Sequence, residues 1–155
     1  MGGKRGRLAG VAWVLAGLVA ALAGCHRAPD EQRVRDAIEV AVEAAREGNP
    51  GRFADVLAED FDGNAGRFDR RRLVGMLRLM RLRGERLTVV PGPVSVEPRG
   101  ERYLATFTVT LGSGNSRLLP ERLGVHRVST AWRLDGGEWR CYRATWERAF
   151  SATGR

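Results

Sequence analysis

The spacing of apolar residues changes along the chain, from a helical period in the first half to strand-like alternation in the second. The first helix is predicted from Asp30, as its N-cap, to about Glu47, and Gly48 ends it. Its apolar face consists of Val34, Ile38, Ala41 and Ala45. Charged residues lie mainly off this face, so one side of the helix is expected to pack on a core.

Two further helices are predicted before the period changes. Asn49-Pro50 indicates a helix cap followed by proline at the first helical position. The apolar side of this short second helix is formed by Phe53, Val56, Leu57 and Phe61. Residues 62–66 predict a turn, and a third helix runs from about Asp69 to Arg83, where Gly84 closes it. Its inward residues are Leu73, Met76, Leu77 and Met80, and its outward residues are Arg71, Arg78 and Arg81.

After Glu85 the pattern is typical of β-structure. Residues 87–90 and 94–96 predict a strand interrupted by Pro-Gly-Pro at 91–93, which indicates an edge, a bulge or a kink. Residues 103–111 alternate strictly between apolar and polar and predict a second strand. Residues 112–125 are polar, contain glycine and proline, and are predicted to form a loop.

The last two strands are predicted at 126–134 and 138–147, joined by Asp-Gly-Gly-Glu, a strong hairpin signal. If Gly136 and Gly137 are the turn residues, the register follows. The expected pairs are Leu134 with Trp139, Trp132 with Cys141, Thr130 with Arg143, and Val128 with Thr145. This face is predicted to lie against the helices, so Arg143, Thr130 and Thr145 are expected to face inward at its open end.

Helices followed by antiparallel strands define an α+β domain with N-terminal helices packed on one side of a curved sheet. Over residues 30–147 this order resembles the nuclear transport factor 2-like, or SnoaL-like, family with its cone-shaped fold. The matching features are the first helix, the break at 48–50, the third helix and the Asp-Gly-Gly-x-Trp hairpin. The resemblance implies a pocket between helices and sheet, and a homodimer is common among such proteins. Their functions range from isomerases and dehydratases to binding-only domains.

The N-terminal segment predicts where in the cell the protein is located. Lys4, Arg5 and Arg7 precede seventeen uncharged residues, and the segment ends in Leu-Ala-Gly-Cys at 22–25. This tetrapeptide resembles a bacterial lipobox, which implies lipidation of Cys25, including palmitate, and cleavage before it. An uncleaved membrane anchor and plain secretion are the alternatives, although nine of the seventeen residues are Ala or Gly, which is weak for a spanning helix.

This interpretation divides the chain into four parts. They are a signal peptide at 1–24, the lipidated Cys25 with a short tether at 25–29, the domain at 30–147 and a tail at 148–155. His26 follows Cys25, so the aspartate often associated with inner-membrane retention is absent. The predicted location is therefore the outer membrane, facing the periplasm.

Charge weakens the case for nucleic-acid binding. The full chain has a net charge of +8, but three positive charges leave with the predicted signal, which leaves about +5. Acidic residues are interspersed through the remaining chain, as on an ordinary mixed-charge surface. No nucleic-acid partner is expected, and weak attraction to anionic lipid is the functional alternative to a solvated surface.

Candidate catalytic groups are few. A catalytic pocket in this fold would need an acid or base inside it, and no Asp, Glu or His is predicted to face inward. Asp60, Asp62 and Asp69 cluster near a turn, where helix capping and solvation explain them. His26 and His126 have no second ligand at metal spacing, so no metal and no cofactor is expected. Cys141 is predicted to be a buried, inert thiol.

The predicted ligand pocket is lined by Arg143, Thr130, Thr145, Tyr103 and Trp132. A cation and hydroxyls at the end of an apolar cleft would suit a small ligand with an apolar body and an anionic head. The alternatives, which explain these residues more readily, are an Arg143 whose stem packs while its head reaches solvent and a Trp132 that, with Trp139, belongs to the core.

The sequence thus predicts a membrane-anchored lipoprotein with a non-catalytic domain that binds a small ligand or a partner. One alternative is a small-molecule enzyme of the isomerase or dehydratase kind. The other is an envelope assembly or interaction module, which a filled pocket and a wide apolar patch would favour.

Overall fold

The computed structural model describes residues 29–114 and 122–149. Within these ranges the helices are α1 (Asp30–Glu47), α2 (Pro50–Asp55) and α3 (Arg70–Leu82). The strands are β1 (Leu57–Gly63), β2 (Phe68–Asp69), β3 (Arg86–Pro91), β4 (Ser95–Arg99), β5 (Arg102–Gly114), β6 (Arg122–Asp135) and β7 (Glu138–Arg148). No helix in these ranges combines the length and apolar character that crossing a membrane requires.

The strands form one sheet in the order β2-β1-β7-β6-β5-β3, with β4 also paired to β5. All pairs are antiparallel except β1 with β7, which is parallel. The predicted α+β class, with helices followed by a curved antiparallel sheet, is confirmed. The order of elements places α1 across one face of the sheet, and the core lies between them.

The interruption at Pro91-Gly92-Pro93 is a kink between two strands that share one edge of β5. β3 pairs with the second half of β5 and β4 with its first half. Gly92 keeps the chain close to β5, because its amide donates to the Thr108 carbonyl at 2.8 Å. A Cβ on Gly92 would lie 2.6 Å from Thr108 Oγ1, so the Thr108 side chain would have to shift to admit any larger residue here.

Three helix ends agree with their predicted signals and one does not. Asn49 and Asp69 cap α2 and α3, where their side chains accept hydrogen bonds from the amides of Arg52 (3.1 Å) and Arg72 (2.6 Å). Gly48 ends α1 in the left-handed region, at φ 62°. Asp30 is not the N-cap of α1, however. Pro29 holds that place, and Asp30 is the first helical residue.

The predicted extension of the second helix to Phe61 is wrong, because α2 ends at Asp55 and β1 begins at Leu57. Leu57 pairs with Cys141 of β7, and the Cys141 amide donates to the carbonyl of Val56 at 2.9 Å. Burial in the sheet therefore outweighs the local helical pattern. The predicted turn at 62–66 is displaced, because β1 includes Gly63 and the turn occupies 64–67.

The loop predicted at 112–125 is shorter than expected, since β5 continues to Gly114 and β6 begins at Arg122. Residues 115–121 lie outside the described part of the chain, as do Cys25 and the predicted signal and tail residues 150–155. On α3, Leu77 is buried as predicted, but Met76 is 48 % exposed and does not belong to the core.

Two clusters of buried residues form the core. The larger contains Val34 and Ile38 of α1, Phe61 of β1, and Trp132 and Trp139 of the hairpin. The smaller joins the C-terminal half of α1 to β3 and β5 through Val42, Ala45, Val89 and Val109. Phe53 and Phe107 pack against both clusters, so the core is continuous.

Candidate functional site

The geometry of the predicted pocket depends on a β-bulge in the β6–β7 hairpin. Near the turn the register is as predicted, with Leu134 opposite Trp139 and Trp132 opposite Cys141. The register then shifts, because Ala131 pairs with Arg143 and Tyr142 is an extra residue on β7. The predicted pairs of Thr130 with Arg143 and Val128 with Thr145 are therefore wrong. Thr130 faces Ala144 and Val128 faces Trp146.

The bulge moves Arg143 and Thr145 to the outer face of the sheet, away from the helices. The Arg143 side chain is 63 % exposed, and its Nε lies 3.9 Å from Asp62 Oδ2. Thr145 is also exposed. The guanidinium of Arg143 does reach solvent, but from the outer face, so both interpretations that placed this residue inward are wrong. The cation and one hydroxyl of the predicted constellation are separated from Thr130 by the thickness of the sheet.

The remaining three predicted pocket residues do lie on the inner face, but they fill it. Trp132 is 2 % exposed, and its indole Nε1 donates to Thr130 Oγ1 at 2.8 Å. The Thr130 hydroxyl donates in turn to the Ala105 carbonyl at 3.3 Å. The Tyr103 ring meets Trp139 edge-on, with centroids 5.1 Å apart. Trp132 and Trp139 are core residues, which was the alternative interpretation.

Titratable groups do not converge on this interior within the described residues. Cys141 is buried against β6, and burial raises its pKa to about 12, so its thiol stays protonated at neutral pH. Asp60 lies on the outer face, where the hydrogen bond from Arg133 holds its pKa below the ordinary 3.8. Asp62 accepts from the Gly66 amide and Asp69 caps α3. Asp62 and Asp69 thus have local partners, as the turn interpretation expects, whereas Asp60 pairs with a distant arginine that this interpretation did not include.

His126 extends the inner face of β6 toward its N-terminal end. It pairs with Val109 on one side and Arg148 on the other. Its Nδ1 is buried without a hydrogen-bond partner among the described residues. No group of His, Cys, Asp and Glu in the described ranges has the geometry of a metal site.

A cavity of about 220 Å³ lies beside the C-terminal ends of α1 and α3, next to the start of β3. Its apolar lining residues are Ala45, Leu77, Met80 and Leu87, and its charged ones are Arg46, Glu47, Arg81, Glu85 and Arg86. Arg46 is fixed there, because its guanidinium donates to the Val89 carbonyl at 2.7 Å and to Glu43 at 2.9 Å. None of the five predicted pocket residues lines this cavity.

The outward face of α3 carries a feature that the sequence pattern did not assign. Leu79 and Leu82 are 47 % and 78 % exposed, among arginines. The sequence did contain a signal for Leu82. Arg71, Gly75, Arg78 and Leu82 follow one another at spacings of four, three and four residues, which places Leu82 on the same side of the helix as the two arginines.

No protein-family model matches the chain, and a search of curated proteins finds no significant match. Solved structures do match. A nuclear transport factor 2-like protein of unknown function from Pseudomonas putida KT2440 is 19% identical, with a TM-score of 0.65 over 80% of this chain and 89% of that chain. A proposed dehydratase of the same family from Streptomyces avermitilis is 15% identical, with a TM-score of 0.65 over 79% and 97% of the two chains.

A third match is a nuclear transport factor 2-like protein from Cytophaga hutchinsonii ATCC 33406, which is 13% identical. Its TM-score is 0.63, over 78% of this chain and 99% of that chain. At these identities the similarity concerns the path of the backbone and carries no chemistry. The chain has the nuclear transport factor 2-like fold.

Proposed function

We propose that this protein is a membrane-anchored, periplasm-facing lipoprotein whose domain acts by binding a partner and not by catalysis. The filled interior carries the second part of this proposal. Catalysis in this fold would need an acid or base facing the substrate between helices and sheet. In the described residues that space holds an apolar core, and the hydroxyl of Thr130, its buried polar side chain, is engaged by Trp132 and Ala105.

The size of the cavity between α1, α3 and β3 favours a partner over a small ligand. About 220 Å³ is below the roughly 300–1,000 Å³ of typical small-molecule sites. Arg46, which lines it, already donates to Glu43 and to the Val89 carbonyl, so it has less capacity for a ligand. Recognition is then expected to use the outside of the domain. A specific feature favouring the isomerase or dehydratase alternative is absent from the described residues.

The membrane part of the proposal rests on Leu-Ala-Gly-Cys at 22–25 after a basic and an apolar segment. Four residues, 26–29, would lie between the lipidated cysteine and α1. At about 3.3–3.6 Å per extended residue, the five steps from Cys25 to Asp30 span at most roughly 17 Å. Such a short tether would hold the domain against the bilayer, and His26 after Cys25 favours the outer membrane.

The two cysteines allow a matched test of lipidation. Cells expressing the Cys25→Ser variant are expected to lose labelling of the protein by a palmitate analogue, because the thioether needs the Cys25 thiol. The Cys141→Ala variant is expected to label like the parent, since Cys141 is buried. Labelling that survives in Cys25→Ser would contradict the lipoprotein assignment.

Partner binding, as opposed to the binding of a small ligand, is tested by native mass spectrometry of protein extracted from membranes. The expected result is a covalent acyl mass and no small molecule held in stoichiometric amount. A non-covalent small molecule that copurifies with the parent would contradict partner binding and support the pocket alternatives. Retention of that molecule by an Arg143→Ala variant would further place it away from the outer face of β7.

A further inference from the structure

Helix α3 carries exposed apolar residues on its outward side, in addition to its buried face. Leu77 faces the core at 6 % exposure, whereas Leu82 and Leu79 point to the opposite side at 78 % and 47 %. Met76, 48 % exposed, borders the same outward face. A surface helix ordinarily presents polar residues there. Neither leucine is among the residues of the two core clusters, so neither is explained by packing within the domain.

Arginines surround these leucines. Between Arg67 and Arg86 the chain has eight arginines against Asp69 and Glu85, a net charge of +6 in twenty residues. The whole mature chain would have about +5, so the rest of it is close to neutral. The positive charge of this protein is therefore concentrated on and beside α3.

Most of these arginines have no acidic partner. Seven of the eight form no ion pair with any residue in the described ranges: Arg67, Arg71, Arg72, Arg78, Arg81, Arg83 and Arg86. The arginines of α1 differ, because Arg33, Arg35 and Arg46 each pair with a carboxylate within one helical turn. On α3 the guanidinium groups of Arg71, Arg78 and Arg81 are thus available to an external anion. Arg70 differs because it pairs with Glu59, and Arg72 differs because it donates to the Arg67 carbonyl.

We propose that the outward face of α3 docks on an anionic phospholipid surface, with Leu79 and Leu82 at the headgroup boundary and the arginines on lipid phosphates. Exposed leucines in the middle of a strongly basic helix face suit the interface plane of a bilayer. Each basic residue near an anionic membrane adds to the attraction. This docking does not require acylation of Cys25, although a short lipid tether would raise the local concentration of the helix at the membrane.

The outward side of α3 could instead bind a second copy of the chain, whose α1 would supply the acidic residues. Its acids are already largely engaged, because Glu31, Glu43 and Glu47 are ion-paired to Arg35, Arg46 and Arg52. A lipid surface instead supplies many phosphates beside an apolar layer, which matches both features of the α3 face. Charge complementarity thus favours the membrane.

The proposal is tested with the full chain on vesicles of phosphatidylcholine alone and with 30% phosphatidylglycerol. An environment-sensitive fluorophore is attached to Leu82→Cys and, as a matched control, to Val90→Cys on the outer face of the sheet, 51 % exposed in the parent. The parent chain, treated identically, gives the background labelling. We expect a blue shift and quenching by doxyl-labelled lipid at position 82 on anionic vesicles only, and neither change at position 90.

Variants that remove positive charge give a second test of the docking on the same vesicles. Replacing Arg71 and Arg78 by Gln is expected to lower the docking equilibrium constant about fivefold per arginine at low salt. Arg99→Gln, at a side chain that is 64 % exposed on β4, is expected to leave it unchanged. Equal signals at position 82 on neutral and anionic vesicles would overturn the proposal. A blue shift without vesicles, together with a dimer mass, would assign the face to a second copy and overturn it as well.

Discussion

Tyr142 is the residue that determines which side chains face the core. As the extra residue of the bulge it stays on the outer face, where the guanidinium groups of Arg102 and Arg133 lie 5.1 Å and 5.6 Å from its ring centre. Arg133 also pairs with Asp60 at 2.6 Å. Arg102, Arg133 and Arg140 are neighbours across three strands, an arrangement that costs free energy unless it is compensated. The tyrosine ring and the carboxylate provide this compensation.

Trp139 is expected to contribute strongly to stability. It is 6 % exposed, packs edge-on against Tyr103 and donates its indole N–H to Asp30 at 3.2 Å. Trp139→Ala should therefore lower the free energy of unfolding by about 3–5 kcal/mol, measured by urea denaturation. Leu134→Ala, at the facing but half-exposed position, is the control and should cost much less. Equal losses would show that the hairpin face is not buried.

Cys141 gives a pH-dependent prediction. Burial raises its pKa from 9.0 to about 12, so above pH 9 the thiol ionises in the unfolded chain before it does so in the folded one. Stability from this group is complete below pH 9 and is lost as the pH rises. Between pH 8 and pH 10 the loss should be about 1.4 kcal/mol. Urea unfolding of the parent and of Cys141→Ala at both pH values isolates this contribution, and parallel losses in the two proteins would contradict it.

At the level of elements, α3 depends on its N-terminal cap. The helix has no acidic residue in its first turn, and three arginines, Arg70 to Arg72, stand where the helix dipole disfavours positive charge. Asp69 offsets this, because its carboxylate accepts from the Arg72 amide at 2.6 Å and lies beside the free N–H groups. The same element carries the exposed leucines, so its integrity is a condition for the docking proposed above.

Asp69→Ala is expected to lower the free energy of unfolding by about 1 kcal/mol, because the first turn of α3 loses a hydrogen-bond acceptor and a negative charge. Asp69→Asn keeps the acceptor and removes the charge, so it should lose less. Denaturant unfolding of the three proteins at low ionic strength makes the comparison. An alanine variant as stable as the parent would mean that the cap contributes nothing.

For the whole molecule, the continuous core predicts cooperative unfolding. Phe53 and Phe107 contact both buried clusters, which links α1 and α2 to the full width of the sheet. Tryptophan fluorescence, which reports on Trp132, Trp139 and Trp146 in or beside the larger cluster, should follow the same transition as far-ultraviolet circular dichroism. Two separated transitions would indicate that the clusters unfold independently.

The sequence by itself determined the order of the three helices and of the strands after Glu85, several of their ends and the turn of the hairpin. These features depend on local signals: Gly48 and Asn49-Pro50 at helix ends, Pro91-Gly92-Pro93 at the strand break, and Asp-Gly-Gly-Glu at the turn. Each works through the φ angle or hydrogen bonding of a few neighbouring residues. They were therefore visible without knowledge of distant contacts.

Only the tertiary structure decided what lines the interior. The change of residues 57–61 from predicted helix to strand required pairing with β7, about eighty residues away. The Tyr142 bulge lies in the pairing of β7 with β6, and its single inserted residue turned Arg143 and Thr145 outward. Alternation has a period of two, so one extra residue reverses every later side chain. The predicted pocket is therefore wrong because of a bulge that no local sequence signal indicates. The exposed leucines of α3 could be recognised only once the buried side of that helix was known.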